Sequence, residues 1–151
     1  MSIEKKIKST VVLDIDTKTV LNLMHIGSWI NEKNVNFFKP YNISSQQYNV
    51  LRILRGQKGR PISLTDIHDR MISKMSNTTR LIDKLILKGF VTRRIDKNNK
   101  RRVEIKITKK GLNHLCSIDE DISNHTEQVT QYLNYKESLI LNELIDKLRG
   151  E

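Results

Sequence analysis

The chain has 151 residues, enough for one domain, or one core domain with helical additions, to bury a core without disulfides or metal. Its net charge of +10 is uneven: residues 52–110 hold 18 Lys/Arg and 5 Asp/Glu, giving +13, against +2 for residues 1–51 and −5 for residues 111–151. A block this lopsided points to a polyanionic partner for the middle segment alone, and the lone cysteine, Cys116, excludes an internal disulfide and fits a reducing compartment.

Residues 1–14 show no periodicity, and their longest apolar run is Val11 to Leu13. That is too short for a signal peptide. No later stretch approaches the roughly 18 apolar residues of a membrane span, so the expected location is the cytoplasm. From about Thr17 to Phe38, Val20, Met24, Gly27, Ile30 and Phe37 recur near helical spacing, and Pro40 with Asn42 ends that helix. Ser44 and Gln47 form an S-x-x-Q capping box for a second helix. Tyr48, Leu51, Ile53 and Leu54 supply its apolar side, and Gly56 and Gly59 mark its end. Pro61-Ile62-Ser63 is short and extended. Ser63 with Asp66 caps a short helix through Leu64, Ile67 and Met71. After Ile72-Ser73-Lys74 comes a further helix, about Met75 to Lys88, with Leu81, Ile82, Leu85 and Ile86 as its stripe. Gly89 follows as a C′ residue able to adopt positive φ.

The period then changes. Phe90, Val91 and Ile95 lead into a polar turn from Asp96 to Lys100, and Val103, Ile105 and Ile107 alternate with Arg102, Glu104 and Lys106. A two-residue period marks a half-buried strand, so the segment is a β-hairpin. Thr108 caps a long helix whose Leu112, Leu115, Ile118, Ile122, Val129 and Leu133 share one face. Asn134 with Glu137 caps a last helix carrying Leu139, Leu141, Leu144, Ile145 and Leu148. The fold class is mainly α with a small β-hairpin (α+β).

A short helix, a tight turn and a second helix make a helix-turn-helix, here over residues 64–88, with the hairpin directly after it. The second helix begins SKMSNTTR. Ser73, Lys74, Ser76, Asn77, Thr78, Thr79, Arg80 and Lys84 suit the major groove: hydroxyls and amides meet phosphates or base edges, and Arg reaches guanine in a bidentate way. Ser, Asn and Thr also favour helix starts for purely structural reasons, and the hairpin decides between the two readings. It carries Arg93, Arg94, Lys97, Lys100, Arg101 and Arg102 against a single acid at its turn, Asp96. Arg94, Lys100, Arg101 and Arg102 complete the candidate DNA-binding set, since arginines on a projecting loop fit the narrow, negative minor groove. An anionic membrane is the weaker alternative, because no basic amphipathic helix with aromatic anchors is present.

The hairpin resembles the wing of the MarR family, D-P-x-D-R-R-x(5)-L-T-x-x-G, over Asp96 to Gly111, with Ile107-Thr108 at the Leu-Thr pair and Gly111 at the right spacing. SLTDIHDRM and SNTTRLIDKLILKGFVTRR are similar to that family's helix-turn-helix, and QQYNVLRIL to its second helix. Lys97 stands in place of the usual proline, and Asn99 in place of the usual acid. The resemblance implies a winged helix-turn-helix with N- and C-terminal dimerisation helices. Residues 1–43 and 109–151 would form the dimer and residues 44–108 the DNA-binding lobe. It implies a homodimeric transcriptional repressor on a pseudo-palindromic double-stranded operator, released by a small-molecule effector, with Arg101 as the wing-tip arginine. The long helix supports a dimer independently: it carries more apolar surface than a small winged domain covers, and its charge is acidic.

Other residues carry a bland reading and a sharp one. Cys116 reads first as a small buried hydrophobe and second as an oxidant sensor. His25, His68, His114 and His125 are scattered, so no metal site or cofactor is expected. Trp29, Phe38 and Tyr41 read first as core packing and second as lining for an effector pocket. No phosphate loop, nucleophile motif or paired catalytic carboxylates mark an enzyme. The alternative to a DNA reader is a winged-helix interaction module without specific DNA binding.

Overall fold

The structure is a computed structural model of the 151-residue chain, and it describes residues 2–95, 99 and 103–150. The turn residues Asp96, Lys97 and Asn98, and the wing candidates Lys100, Arg101 and Arg102, lie outside the described residues. The chain divides into two compact units, Met1–Ser45 and Gln46–Glu151.

In the first unit, α1 (Ile3–Lys6) lies against α2 (Ile15–Phe38). Sequence periodicity leaves residues 1–14 without an element, because four residues are too few to show a period. The helix is held by tertiary contacts instead. Ile3 is buried, and Glu4 pairs with Lys18 of α2 at 2.8 Å. That ammonium is the main cause of a Glu4 pKa lowered to about 2. Asp14 caps α2 by accepting from the Thr17 N–H at 2.9 Å. A single 3₁₀ turn, Lys39–Tyr41, carries Pro40, and Asn42 ends it at φ 54° in the left-handed region.

The second unit contains the helix-turn-helix and hairpin. Helix α3 (Ser45–Gly56) leads to Ile62, whose N–H and C=O both pair with Ile105 in an isolated antiparallel bridge. Helix α4 (Leu64–Arg70) starts at Ser63, whose hydroxyl accepts from the Asp66 N–H at 3.1 Å and donates to the Asp66 carboxylate at 2.6 Å. Helix α5 (Thr78–Leu87) ends at Gly89, φ 74°, with the Phe90 N–H returning to the Leu85 carbonyl. Strands β1 (Val91–Ile95) and β2 (Val103–Ile107) pair antiparallel in register Val91↔Ile107 to Ile95↔Val103.

Thr108 then caps α6 (Lys109–Thr130), accepting from the Gly111 N–H at 3.1 Å, and Asn134 with Glu137 forms a full capping box for α7 (Tyr135–Arg149). Val50, Leu51, Leu54, Ile67, Met71, Ile82, Leu85, Val91, Ile105, Leu115 and Ile118 are the buried centre of this unit. Each contributes roughly 1.5–3 kcal/mol of transfer free energy. Arg55 of α3 makes a two-pronged ion pair with Asp119 of α6, at 2.7 and 2.9 Å. That guanidinium holds the Asp119 carboxyl below the usual carboxylate range.

Candidate nucleic-acid interface

The second helix of the motif, α5, begins three residues later than its sequence suggests, at Thr78 rather than Met75. Asn77 is its N-cap, its side-chain oxygen accepting from the Arg80 N–H at 3.0 Å. Ser73, Lys74 and Ser76 therefore lie in the turn between α4 and α5, where the Ser76 N–H donates to the Ser73 carbonyl at 3.2 Å. Lys74 folds back, and its ammonium donates to the carbonyl of Asp69 in α4.

Thr78 does not face solvent. It is buried, with its hydroxyl 2.9 Å from Nδ1 of His68 in α4. It joins the two helices of the motif and is not available to DNA, which corrects the expectation for this residue. Thr79, Arg80 and Lys84 are exposed, and the four-residue spacing of Arg80 and Lys84 puts both on one side of α5. Ser73 and Asn77 are exposed as well, and Ser76 is half-buried.

The hairpin is fixed to this helix. Arg93 of β1 pairs with Asp83 of α5 at 2.8 Å, on the sheet face that also carries Val91 and Ile95. Arg94 projects from the opposite face and stands across from Glu104 in the register. Between α4, α5 and the hairpin lies a cavity of about 530 Å³, lined among others by Ser63, Thr65, Thr79, Arg93 and Ile105. Sequence reasoning missed three connections: His68 to Thr78, Asp83 to Arg93, and the Asn49 side chain, which accepts from the Ile72 N–H at 2.9 Å. Each joins residues at least ten apart, beyond any local pattern.

Of the aromatics, Phe38 is buried and meets Phe37 edge-on at 4.9 Å, and Phe37 lies 5.5 Å from Tyr41. Trp29 is nine residues before Phe38 on the same helix, hence about half a turn round from it, and is topped by Lys33 at 5.7 Å. Of the three candidates for an effector pocket, Phe38 and Tyr41 both lie against Phe37, whereas Trp29 stands apart from them on α2. Cys116 is exposed, against the expectation of a buried hydrophobe. His114 stacks on Phe90, with ring centroids 4.5 Å apart. Among the described residues no His, Cys, Asp or Glu cluster that could hold a metal ion occurs, and no helix is long and apolar enough to cross a membrane.

Two capped helices joined by a hydrogen-bonded turn, with an antiparallel hairpin tied to the second helix, define a winged helix-turn-helix protein. The MarR family model matches residues 43–103. The transcriptional repressor MprA of Escherichia coli (strain K12) is 26% identical over 125 residues, covering 83% of this chain and 71% of the relative. A mutant MarR from E. coli complexed with operator DNA superposes with a TM-score of 0.78 at 22% identity, covering 90% of this chain and 99% of that one. BpsR of Bordetella bronchiseptica, whose DNA binding is regulated by 6-hydroxynicotinic acid, gives 0.80 at 16% identity, covering 93% and 99%. Over residues 43–103 the chain is similar to the MarR family.

Proposed function

We propose that this chain acts in the cytoplasm as a homodimer that binds a pseudo-palindromic DNA operator, represses transcription there and is released by a small-molecule effector. The observation that carries this reading is the coincidence of charge and architecture. The +13 segment, residues 52–110, is the segment that forms the helix-turn-helix and hairpin. Thr79, Arg80 and Lys84 on α5, with Ser73, Ser76 and Asn77 beside its start, are assigned to the major groove. Arg94 and the wing residues Lys100, Arg101 and Arg102 are assigned to the backbone and minor groove. Residues 1–43 and 109–151 are assigned to the dimer. Regulation in related proteins supports release by an effector, since BpsR responds to 6-hydroxynicotinic acid. Nothing in this role calls for catalysis.

The test is selection of bound sequences from a random duplex pool, followed by titration against salt. Affinity should fall with a log–log slope of about −0.9 per phosphate contact. Arg80→Ala should cost about 1–3 kcal/mol at the selected site and relax base preference there. A flat salt response, or a pool that never enriches, favours an interaction module without specific DNA binding.

A further inference from the structure

The turn between α4 and α5 holds two large apolar side chains in water: Ile72 is 89% exposed and Met75 95% exposed. The turn is well braced. The Met71 N–H donates to His68, the Ile72 N–H to Asn49, and the Ser76 N–H to Ser73. The last of these bonds puts Lys74 and Met75 at the two central positions of a tight turn. Lys74 turns back onto the carbonyl of Asp69, so Met75 is the side chain left standing at the tip, two residues before the Asn77 cap of α5. An ordered, fully exposed methionine adds nothing to the core. Its sequence neighbours Ser73, Lys74, Ser76 and Asn77 are polar or basic, which fits a partner that is anionic yet offers isolated apolar groups. The floor of the DNA major groove does both, through phosphates at its rim and the C5-methyl of thymine inside it.

We infer that Met75 is a specificity-determining residue that reads thymine by apolar contact with its methyl group, with Ile72 flanking it. The inference rests on the DNA-binding reading above and adds a base preference to it. Deoxyuridine differs from thymidine only by that methyl. The experiment takes a duplex enriched from a random pool by the full-length chain, and replaces each thymine by uracil in turn. The wild-type chain should lose about fourfold in affinity at one thymine of each half-site, the worth of one buried methyl. Met75→Ala should bind the thymine duplex about as weakly as the wild type binds the uracil one, no longer distinguish the two, and keep its affinity for random competitor DNA. Because Met75 makes no core contact, its melting temperature should be unchanged. Indifference of the wild type to every uracil, or an unchanged thymine-to-uracil ratio in Met75→Ala, overturns the inference while leaving DNA binding intact. Loss of the dimer in Met75→Ala would place Met75 between two copies of the chain and also overturn it. Failure to enrich any duplex removes the DNA reading itself and this inference with it.

Discussion

Thr78 shows how a single side chain can look functional and serve structure. A threonine at the start of a basic helix is the type that meets DNA, yet this one is buried against His68 of the preceding helix. Thr78→Val keeps the shape and leaves the imidazole nitrogen without its hydroxyl partner. The expected cost is about 1–3 kcal/mol, read as a lower urea midpoint, with Thr78→Ser close to wild type. DNA affinity measured well below the unfolding transition should stay unchanged for Thr78→Val. A loss there would return Thr78 to the interface. Gly111 is the opposite case, a residue that looks like punctuation and is a packing requirement. A Cβ at Gly111 would sit 2.4 Å from the Phe90 carbonyl oxygen and 2.8 Å from Cγ1 of Ile107. That carbonyl also accepts from the Thr108 N–H at 2.9 Å, so it is held in place. Gly111→Ala should therefore destabilise by about 1–3 kcal/mol or more, visible as a drop in Tm. A melting temperature equal to wild type would show that α6 can shift away from Phe90 and Ile107 at no cost.

Among elements, the wing and the reading helix act as one part because Asp83 and Arg93 connect them. The pair is a third to a half exposed, so its worth to stability is about 0.2–1 kcal/mol. Its larger effect is on geometry. Asp83→Ala and Arg93→Ala should each weaken DNA binding up to about fivefold, and the double variant no further. Full additivity would mean that Arg93 contacts DNA itself. The pair between α3 and α6 predicts a pH effect with a definite sign. Asp119 has a lowered pKa because Arg55 stabilises its charged form. Its contribution is present above the ordinary carboxylate pKa and is lost as pH falls through the lowered value. Asp119→Asn should therefore flatten the fall of Tm on acidification. An unchanged slope would assign the acid sensitivity elsewhere. Element order, both strands and the caps at Ser63, Thr108 and Asn134 were legible because each is written in adjacent residues. Helix α1 was not, since it depends on Lys18 from another helix. The start of α5 was misread because Ser73, Ser76 and Asn77 are all good caps by type, and only the turn closed by Ser76 selects Asn77. The exposed residues of the candidate site were legible by charge, whereas the ties that orient them join residues ten or more apart.

At the scale of the whole molecule, the surface left apolar by one chain is concentrated on α2 and α7. Leu139, Ile140, Leu141, Leu144 and Leu148 of α7 are all exposed, as are Val20, Met24 and Val35 of α2. With Tyr135, the five of α7 make six large hydrophobes on one fifteen-residue helix, more than a lone soluble chain usually shows to water. In the dimer proposed above, a second copy of the chain would cover such a surface symmetrically, each helix meeting its counterpart across a two-fold axis. Helix α7 is itself well formed, with a capping box at Asn134 and a left-handed C-cap at Gly150. Its apolar face is thus part of a stable element and not a frayed end. Removing residues 134–151 should abolish the dimer, leaving monomer or aggregate in sedimentation. It should leave the packing of α3 to β2 largely intact, because none of the buried residues of that unit lies in α7. Half-site binding by the truncated chain should survive, weakly and without preference for palindromes, because pairing of half-sites about one helical turn apart requires two reading helices in one particle. A soluble dimer that persists unchanged after the deletion would move the interface to α2 and α6 and leave the apolar face of α7 to another partner.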